Sequence, residues 1–404
     1  MPPVQAIKRM RNMRILWINT VGAMGGAERS LTELLPPLAA QGHDMAVACP
    51  HGTLAASAAA AGADVFPIPS VRLRRPSLRH TGWRTGWLSL PVARRKLAGI
   101  IRSHRPDILH ANSLAAMLAL PSRRGAPAIW HVRDLRLPPA AARLAARRAD
   151  AIIAISTAVE TRLSELLPTS EHAKIKLIPN GIALPDSATL PQREEARQRL
   201  GLPLGTPIIG MLAHFIPWKR HDRLIAAAAL LAESYPQLHV VLAGGDPCGE
   251  HAAYVRHLRE QIATTGLEKQ VSLPGEMDQP LHFLGALDLL VHPAEDEPFG
   301  RVVCEAMAVG TPVVAVNRGG PATILEHEVT GWLVDRGTPD ELAGAVKRLL
   351  DDDALRSRLA ARAAARVRES YDIRVTAARI SACYAALARR ATATERGGGS
   401  SSRQ

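Results

Sequence analysis

"RILWINTVGAMGGAERSLTELL", residues 14–35, sets the fold in one passage. The run RILWIN is apolar at nearly every position and ends near Asn19; a glycine-rich turn follows, and a helical pattern starts near Ala27. Continuous rather than alternating hydrophobicity belongs to a strand covered on both faces, the strand of a parallel sheet flanked by helices. Strand, glycine turn and helix in that order make the first half of a βαβ unit.

The same rhythm continues to the end of the chain. Strands are expected at 45–49, 64–68, 107–111, 128–132, 151–156 and 175–179, with Ala/Leu/Arg helices such as 28–41 and 138–149 between most of them. A second series follows at 207–213, 239–245, 271–275, 289–293, 312–316 and 331–335, and beyond Asp335 the pattern is helical to about Arg390. Residues 184–204, LPDSATLPQREEARQRLGLPL, interrupt the rhythm with prolines and charges. The reading is α/β, two tandem doubly wound Rossmann-like domains: 13–183, a linker 184–204, 205–372, a last helix 373–390 packing back on the first domain, and a disordered tail 391–404. Open α/β sheets bind ligands at the carboxyl ends of their strands, so two of them in tandem imply a shared cleft.

Composition bounds the function. The 404 residues are too many for one ordinary core. No run approaches the roughly 18 apolar residues of a membrane-spanning helix, and the N-terminus has no apolar segment of a secretory signal ahead of the first strand. Cysteines at 49, 248, 304 and 383 include no Cys-x-x-Cys pair, which suits reduced thiols in the cytoplasm. The net charge of +13 is carried by the first half: residues 1–183 hold 25 Lys/Arg against 10 Asp/Glu, and residues 184–404 hold 25 against 27. Residues 71–105 carry 10 Lys/Arg and no acid, together with Trp83 and Trp87. Arginine with tryptophan suits an anionic membrane surface; a solvated basic loop is the competing reading. Nucleic acid is disfavoured, because aromatics are only 3 % of the chain and leave few stacking platforms.

Three constellations carry chemistry, each at a strand-to-helix turn. Gly22, Gly25 and Gly26 can bring backbone N–H groups to an anion at a helix N-terminus, although a turn that merely needs left-handed glycine reads equally well. In MLAHFIPWKRHDRLIAAAALL (211–231), Lys219 and Arg220 fall at a helix start. Cations there oppose the helix dipole unless an anion joins them; a solvated lysine is the alternative. In EDEPFGRVVCEAM (295–307), Glu297 precedes a Pro-Phe-Gly turn, and Glu305 falls inside a helix expected from Phe299 to Val309. A carboxylate buried there needs partners, and adjacent sugar hydroxyls would supply them; an exposed glutamate is the plain reading. Two anion sites and one hydroxyl site describe a nucleotide-sugar site. Metal ligands are not required: the only Asp-x-Asp lies in DDD, 351–353, a loop between helices.

Glu297 and Glu305, with seven residues between them in EPFGRVVCEAM, resemble the E-x7-E motif of the retaining glycosyltransferases of family four, which have the GT-B fold. GGAERSL, AIIAIS with IPNGI, and GTPVVAVNRGGPATILEHEVTGWLVD resemble further segments of that family. The resemblance implies a role for each position. Lys219 would neutralise the donor diphosphate, and His214, five residues earlier, would stand where the family usually has arginine. Glu305 would hold the ribose. Glu297 would face the transferred sugar, with Phe299 and Gly300 giving backbone donors. Gly25 and Gly26 would approach the phosphates and acceptor, and Gly275, Glu276 and Met277 would hold the base. His131 would contact the donor sugar, unless the register places Arg133 there instead. The implied reaction moves a sugar from a nucleotide diphosphate sugar, by family habit a UDP-sugar, to a glycan or lipid-linked acceptor without a metal or other cofactor. It would take place in the cytoplasm, peripherally at the inner membrane face, with hinge closure about 184–204. An epimerase of the same fold and an inactive nucleotide-sugar-binding protein remain the alternatives.

Overall fold

A computed structural model describes residues 12–71, 83–186, 188–246 and 249–398. The chain divides into two compact units, residues 1–181 with 373–404, and residues 182–372. The expected leader, Cys248, and residues 72–82 of the basic segment lie outside the described residues, as do the side chains of Trp83 and Trp87.

The N-terminal unit holds seven parallel strands: β1 (Arg14–Ile18), β2 (Asp44–Cys49), β3 (Asp64–Pro67), β4 (Ile108–Ala111), β5 (Ala128–Val132), β6 (Ala151–Ala154) and β7 (Ile175–Leu177). Their order is β3-β2-β1-β4-β5-β6-β7. The C-terminal unit holds six: β8 (Ile208–Leu212), β9 (His239–Ala243), β10 (Val271–Gly275), β11 (Leu289–His292), β12 (Val313–Val316) and β13 (Trp332–Val334), in the order β10-β9-β8-β11-β12-β13. All thirteen coincide with apolar runs in the sequence. The central strands β1, β4, β5, β6 and β11 are buried or nearly so along their length, while the edge strands β3 and β7 are partly exposed, as helices covering both faces of a sheet require. Both sheets are Rossmann-like, and each reverses its strand order once: between β1 and β4, and between β8 and β11.

The helix Gly26–Ala39 shows how sequence becomes packing. Leu31, Leu34, Leu35 and Leu38 recur at helical spacing and are fully buried. The last helix runs Ile373–Gly398, past the expected end near residue 390 and into the stretch expected to be disordered. It packs on the helix Gly26–Ala39 and buries Ala377, Ile380 and Tyr384 against Ile15 and Trp17. His43 Nε2 meets Ser381 Oγ at 2.6 Å, and Thr376 donates to Pro179 O at 3.0 Å.

Residues 184–204 also differ from expectation. They carry the helix Arg193–Arg199, and Arg197, 5 % exposed, donates to Ala286 O, Thr206 O and Asp288 Oδ2. Asp288 in turn accepts from the Ile208 N–H at 2.7 Å. A buried arginine whose guanidinium is satisfied on several sides ties the segment to the C-terminal unit. Among the described residues, no helix is long and apolar enough to cross a membrane.

Candidate active site

In the C-terminal unit the expected residues gather at the carboxyl ends of β8, β10 and β11. After β8 the chain passes exposed His214 and enters a short 3₁₀ turn, Pro217–Lys219. Arg220 then takes φ +63°, a conformation rare outside glycine, and the helix His221–Leu231 begins after it. Lys219 therefore sits in the tight turn immediately before the helix, next to the helix start expected from the sequence. Arg220 finds its own anion, donating to both Asp222 oxygens at 3.2 and 2.9 Å.

The anion that Lys219 needs is Glu297. Lys219 Nζ lies 2.5 Å from Glu297 Oε2, with both side chains largely buried, and the ammonium also sits 4.3 Å from the Trp218 ring centroid. Neither a solvated lysine nor a surface glutamate describes this pair. His292, the buried last residue of β11, brings Nε2 to 3.4 Å from the same carboxylate oxygen. Burial, the largest single influence, would raise the Glu297 carboxyl; the Lys219 ammonium and His292 together outweigh it, and the group titrates well below the usual carboxylate range. Burial chiefly keeps His292 neutral, holding its pKa below the ordinary value despite Glu297. His221, also buried, is lowered to about 4, mainly by burial.

This arrangement has a pH signature. A carboxyl depressed in the folded state stabilises above its unfolded pKa, about 4.3 for glutamate, and that stabilisation is lost as pH falls through the folded value. Urea midpoints of the parent chain should fall steeply below about pH 4.5. In Glu297→Gln the acid limb should be shallower; equal slopes would mean that Glu297 is not the depressed group.

The helix after β11 is shorter than the sequence suggested. It runs Arg301–Ala308, because Gly300 takes φ +97° at its N-cap and holds Phe299 in the turn. Glu305 lies on that helix, 7 % exposed, and accepts from Arg301 at 3.0 Å, so it is not a free surface glutamate. Phe299 is buried, edge-on to Tyr371 at 5.9 Å. After β12, Gly319 and Gly320 press on this turn: Gly320 N–H donates to Glu297 O at 2.7 Å. Gly275 ends β10 with φ +93°, beside half-buried Met277 and exposed Glu276. A Cβ on Gly245 would fall 2.0 Å from Glu276 Oε1, so that carboxylate lies against the loop after β9.

In the N-terminal unit, neither Gly25 nor Gly26 has positive φ, so left-handed geometry does not explain them. A Cβ on Gly26 would meet nothing within 4 Å, and one on Gly25 only Glu28 Oε2 at 3.0 Å. The backbone at this helix N-terminus is open to approach. The tight contact is at Gly22, whose Cβ would fall 2.4 Å from His51 O.

His131 is not at the strand edge. It is fully buried within β5, its Nδ1 3.0 Å from His110 Nε2, while His110 stacks on Trp17 at 3.6 Å and meets Tyr384 OH at 2.7 Å. Burial, then Arg133 and His110, hold it well below the ordinary histidine value. Arg133 takes the edge instead, donating to Asn112 Oδ1 at 2.7 Å and Asn180 Oδ1 at 3.0 Å. Asn112 reaches Asn19 at 3.0 Å across the β1/β4 reversal. Sequence reading missed this polar cluster; its signal was polar residues ending apolar strands, in LWIN, LHAN and IPN. Among the described residues, no group of three His, Cys, Asp or Glu side chains is arranged to hold a metal ion.

Each unit thus collects charged and amide side chains where its strand order reverses, where doubly wound proteins bind nucleotides. Comparison with known proteins names the class. Residues 24–184 match the model "Glycosyltransferase Family 4", and residues 192–366 match "Glycosyl transferases group 1". The chain belongs to glycosyltransferase family four and has the GT-B fold. It is 34 % identical over 232 residues to a D-inositol 3-phosphate glycosyltransferase of Kineococcus radiotolerans, covering 54 % of this chain and 53 % of that protein. It is 40 % identical over 171 residues to one from Salinispora arenicola, covering 41 % and 38 %. The chain thus spans about half the length, or less, of these curated relatives. Among solved structures, Anabaena Alr3699/HepE in complex with UDP and glucose matches with a TM-score of 0.77 and 26 % identity, over 93 % of this chain and 100 % of that one. A glycosyltransferase of Rickettsia africae shares the fold with a TM-score of 0.79 at 20 % identity, over 93 % and 99 %.

Proposed function

We propose that this chain is a retaining glycosyltransferase that moves a hexose from a UDP-sugar to a hydroxyl of a glycan, polyol or lipid-linked acceptor. The observation that carries the reading is the buried Lys219–Glu297 pair, which joins the loops after β8 and β11 at the strand-order reversal. Relatives point the same way: HepE was solved with UDP-glucose, and the curated relatives are named for D-inositol 3-phosphate.

Transfer breaks the anomeric C–O bond to a diphosphate, so negative charge grows on the leaving group while the sugar becomes oxocarbenium-like. An ammonium already in position stabilises that charge without reorganising. Lys219 has three N–H donors, so it can keep Glu297 and still donate to a phosphate. Glu297 holds the lysine against snorkelling into water and presents its other oxygen to the sugar. Glu305 has acceptor sites left beyond its Arg301 bond for a ribose. The open backbone at Gly25 and Gly26 suits contact with a phosphate or acceptor, and Gly275, Glu276 and Met277 suit contact with a base. His214, in place of the usual arginine, leaves Lys219 as the principal cation. The acceptor role falls to the N-terminal unit, where Arg133, buried but just past the end of β5, is the candidate rather than His131. Val92, Arg95 and Lys96, exposed on the helix Trp83–His104, suit approach to an anionic membrane surface.

Incubation with UDP- and GDP-sugars, with and without acceptors that include myo-inositol phosphates, tests the reading. Nucleotide release that depends on acceptor is expected, with the product retaining the donor's anomeric configuration. Sugar inversion without lasting nucleotide loss would make the chain an epimerase, and binding without turnover an inactive relative.

A further inference from the structure

The N-terminal unit carries a second charged site, at the opposite edge of its sheet from Asn112 and Arg133. Before β5, β6 and β7 a cavity of about 580 Å³ is lined by Arg94, Ser122, Arg124, Arg147, Arg148 and Lys174. That volume is in the range of small-molecule pockets. Five cations there meet one carboxylate, Asp150, which is already occupied by Arg124 at 2.8 Å and the Ala128 N–H at 2.7 Å.

Helix capping explains part of this cluster. Arg94 donates to Leu118 O, and Arg148 to Leu118 O and Leu120 O, at the end of the helix Leu114–Ala119. Capping does not explain Arg147, which is exposed and, among the described residues, has no hydrogen-bond or ion-pair partner. Nor does it explain why like charges are crowded: burial, then Arg94 and Arg124, lower the Arg148 guanidinium from its ordinary value. Lys174 is shared with Glu171 at 2.7 Å and Ala146 O at 3.1 Å. Each guanidinium has five N–H donors in a planar fork that fits phosphate oxygens, and the capping bonds leave several of them free.

We propose that this cavity binds a phosphate-bearing anion, at a site separate from the candidate active site. A diphosphate or a phosphorylated head group matches its charge and volume. Exposed Leu144 on its lip gives such a group an apolar neighbour.

The test is calorimetric titration of inorganic pyrophosphate into the full chain and into variants of the cavity, compared with a charge change elsewhere; any pyrophosphate held at the proposed donor site is common to all of them. UDP titrated by itself reports that site independently. Arg147→Glu and Ser122→Asp change exposed positions at the cavity, and Arg358→Glu makes the same charge change on the other unit. Binding is expected in the parent chain, weakened at least about tenfold by either cavity variant and little by Arg358→Glu, and weakened by added salt. No binding in the parent, parent-like affinity in both cavity variants, or equal loss in Arg358→Glu overturns the proposal. Flotation with phosphatidic acid or phosphatidylcholine vesicles identifies the source of the phosphate. Recovery on the anionic vesicles that drops in both cavity variants assigns a lipid head group; unchanged recovery beside weakened pyrophosphate binding assigns a soluble phosphate compound.

Discussion

Replacing Lys219 with methionine is expected to lower turnover at least about a hundredfold, the usual consequence of removing one preorganised donor to a developing oxyanion. Stability should fall too. The substitution keeps the aliphatic stem but leaves Glu297, 9 % exposed, without its ammonium. Breaking a buried ion pair from one side typically costs about 3–5 kcal/mol, much of it the cost of the stranded charge. A drop in activity alone would not separate chemistry from folding. The double variant Lys219→Met with Glu297→Gln does so, because it removes both charges and strands neither. Its urea midpoint should return most of the way to that of the parent, while turnover stays at or below the single variant's level. If turnover returns together with stability, the pair is a structural staple and the proposed role of Lys219 is wrong.

How much of this was legible follows from the range of each interaction. The strands could be read because burial on both faces leaves a local mark, an apolar run around strands of three to six residues. The E-x7-E spacing is local as well, and it marked the loop and helix that carry the buried Glu297 and Glu305. The Lys219–Glu297 bond spans 78 residues, so spacing could bring each side chain to the same edge of a sheet without joining them. The 3₁₀ turn before Arg220 left no composition signal, because an arginine at positive φ looks like any other arginine. The burial of His131 was not legible for a different reason. Alternation along β5 fixes which face it points to, but its neighbours there are His110 and Trp17, on other strands, and Tyr384 of the last helix closes over His110 in turn. Arg133, two residues on, shares the face and passes the end of the strand, so it reaches the edge that His131 does not.

Alanine at Gly320 is expected to be nearly as damaging as loss of Lys219, although Gly320 carries no chemistry. Its backbone, φ −64° and ψ −42°, suits any residue, and alanine there would ordinarily stabilise slightly by restricting the unfolded chain. The obstacle is space. A Cβ would fall 2.0 Å from Phe299 O and 2.3 Å from Phe299 Cα, and backbone cannot yield as a side chain end can. The 297–300 turn must move, together with the Gly320 N–H bond to Glu297 O that fixes it. Overpacking of this kind costs about 1–3 kcal/mol. The larger effect should fall on turnover: a shift near 1 Å in a positioning group can cost about a hundredfold, and here the shift carries Glu297 away from Lys219. Gly344→Ala is the matched control, on an exposed helix position where a Cβ meets nothing within 4 Å. It should leave turnover unchanged and gain up to about 1 kcal/mol in stability. Wild-type turnover in folded Gly320→Ala would show that the turn tolerates displacement, and the requirement for a fixed Glu297 would fail with it.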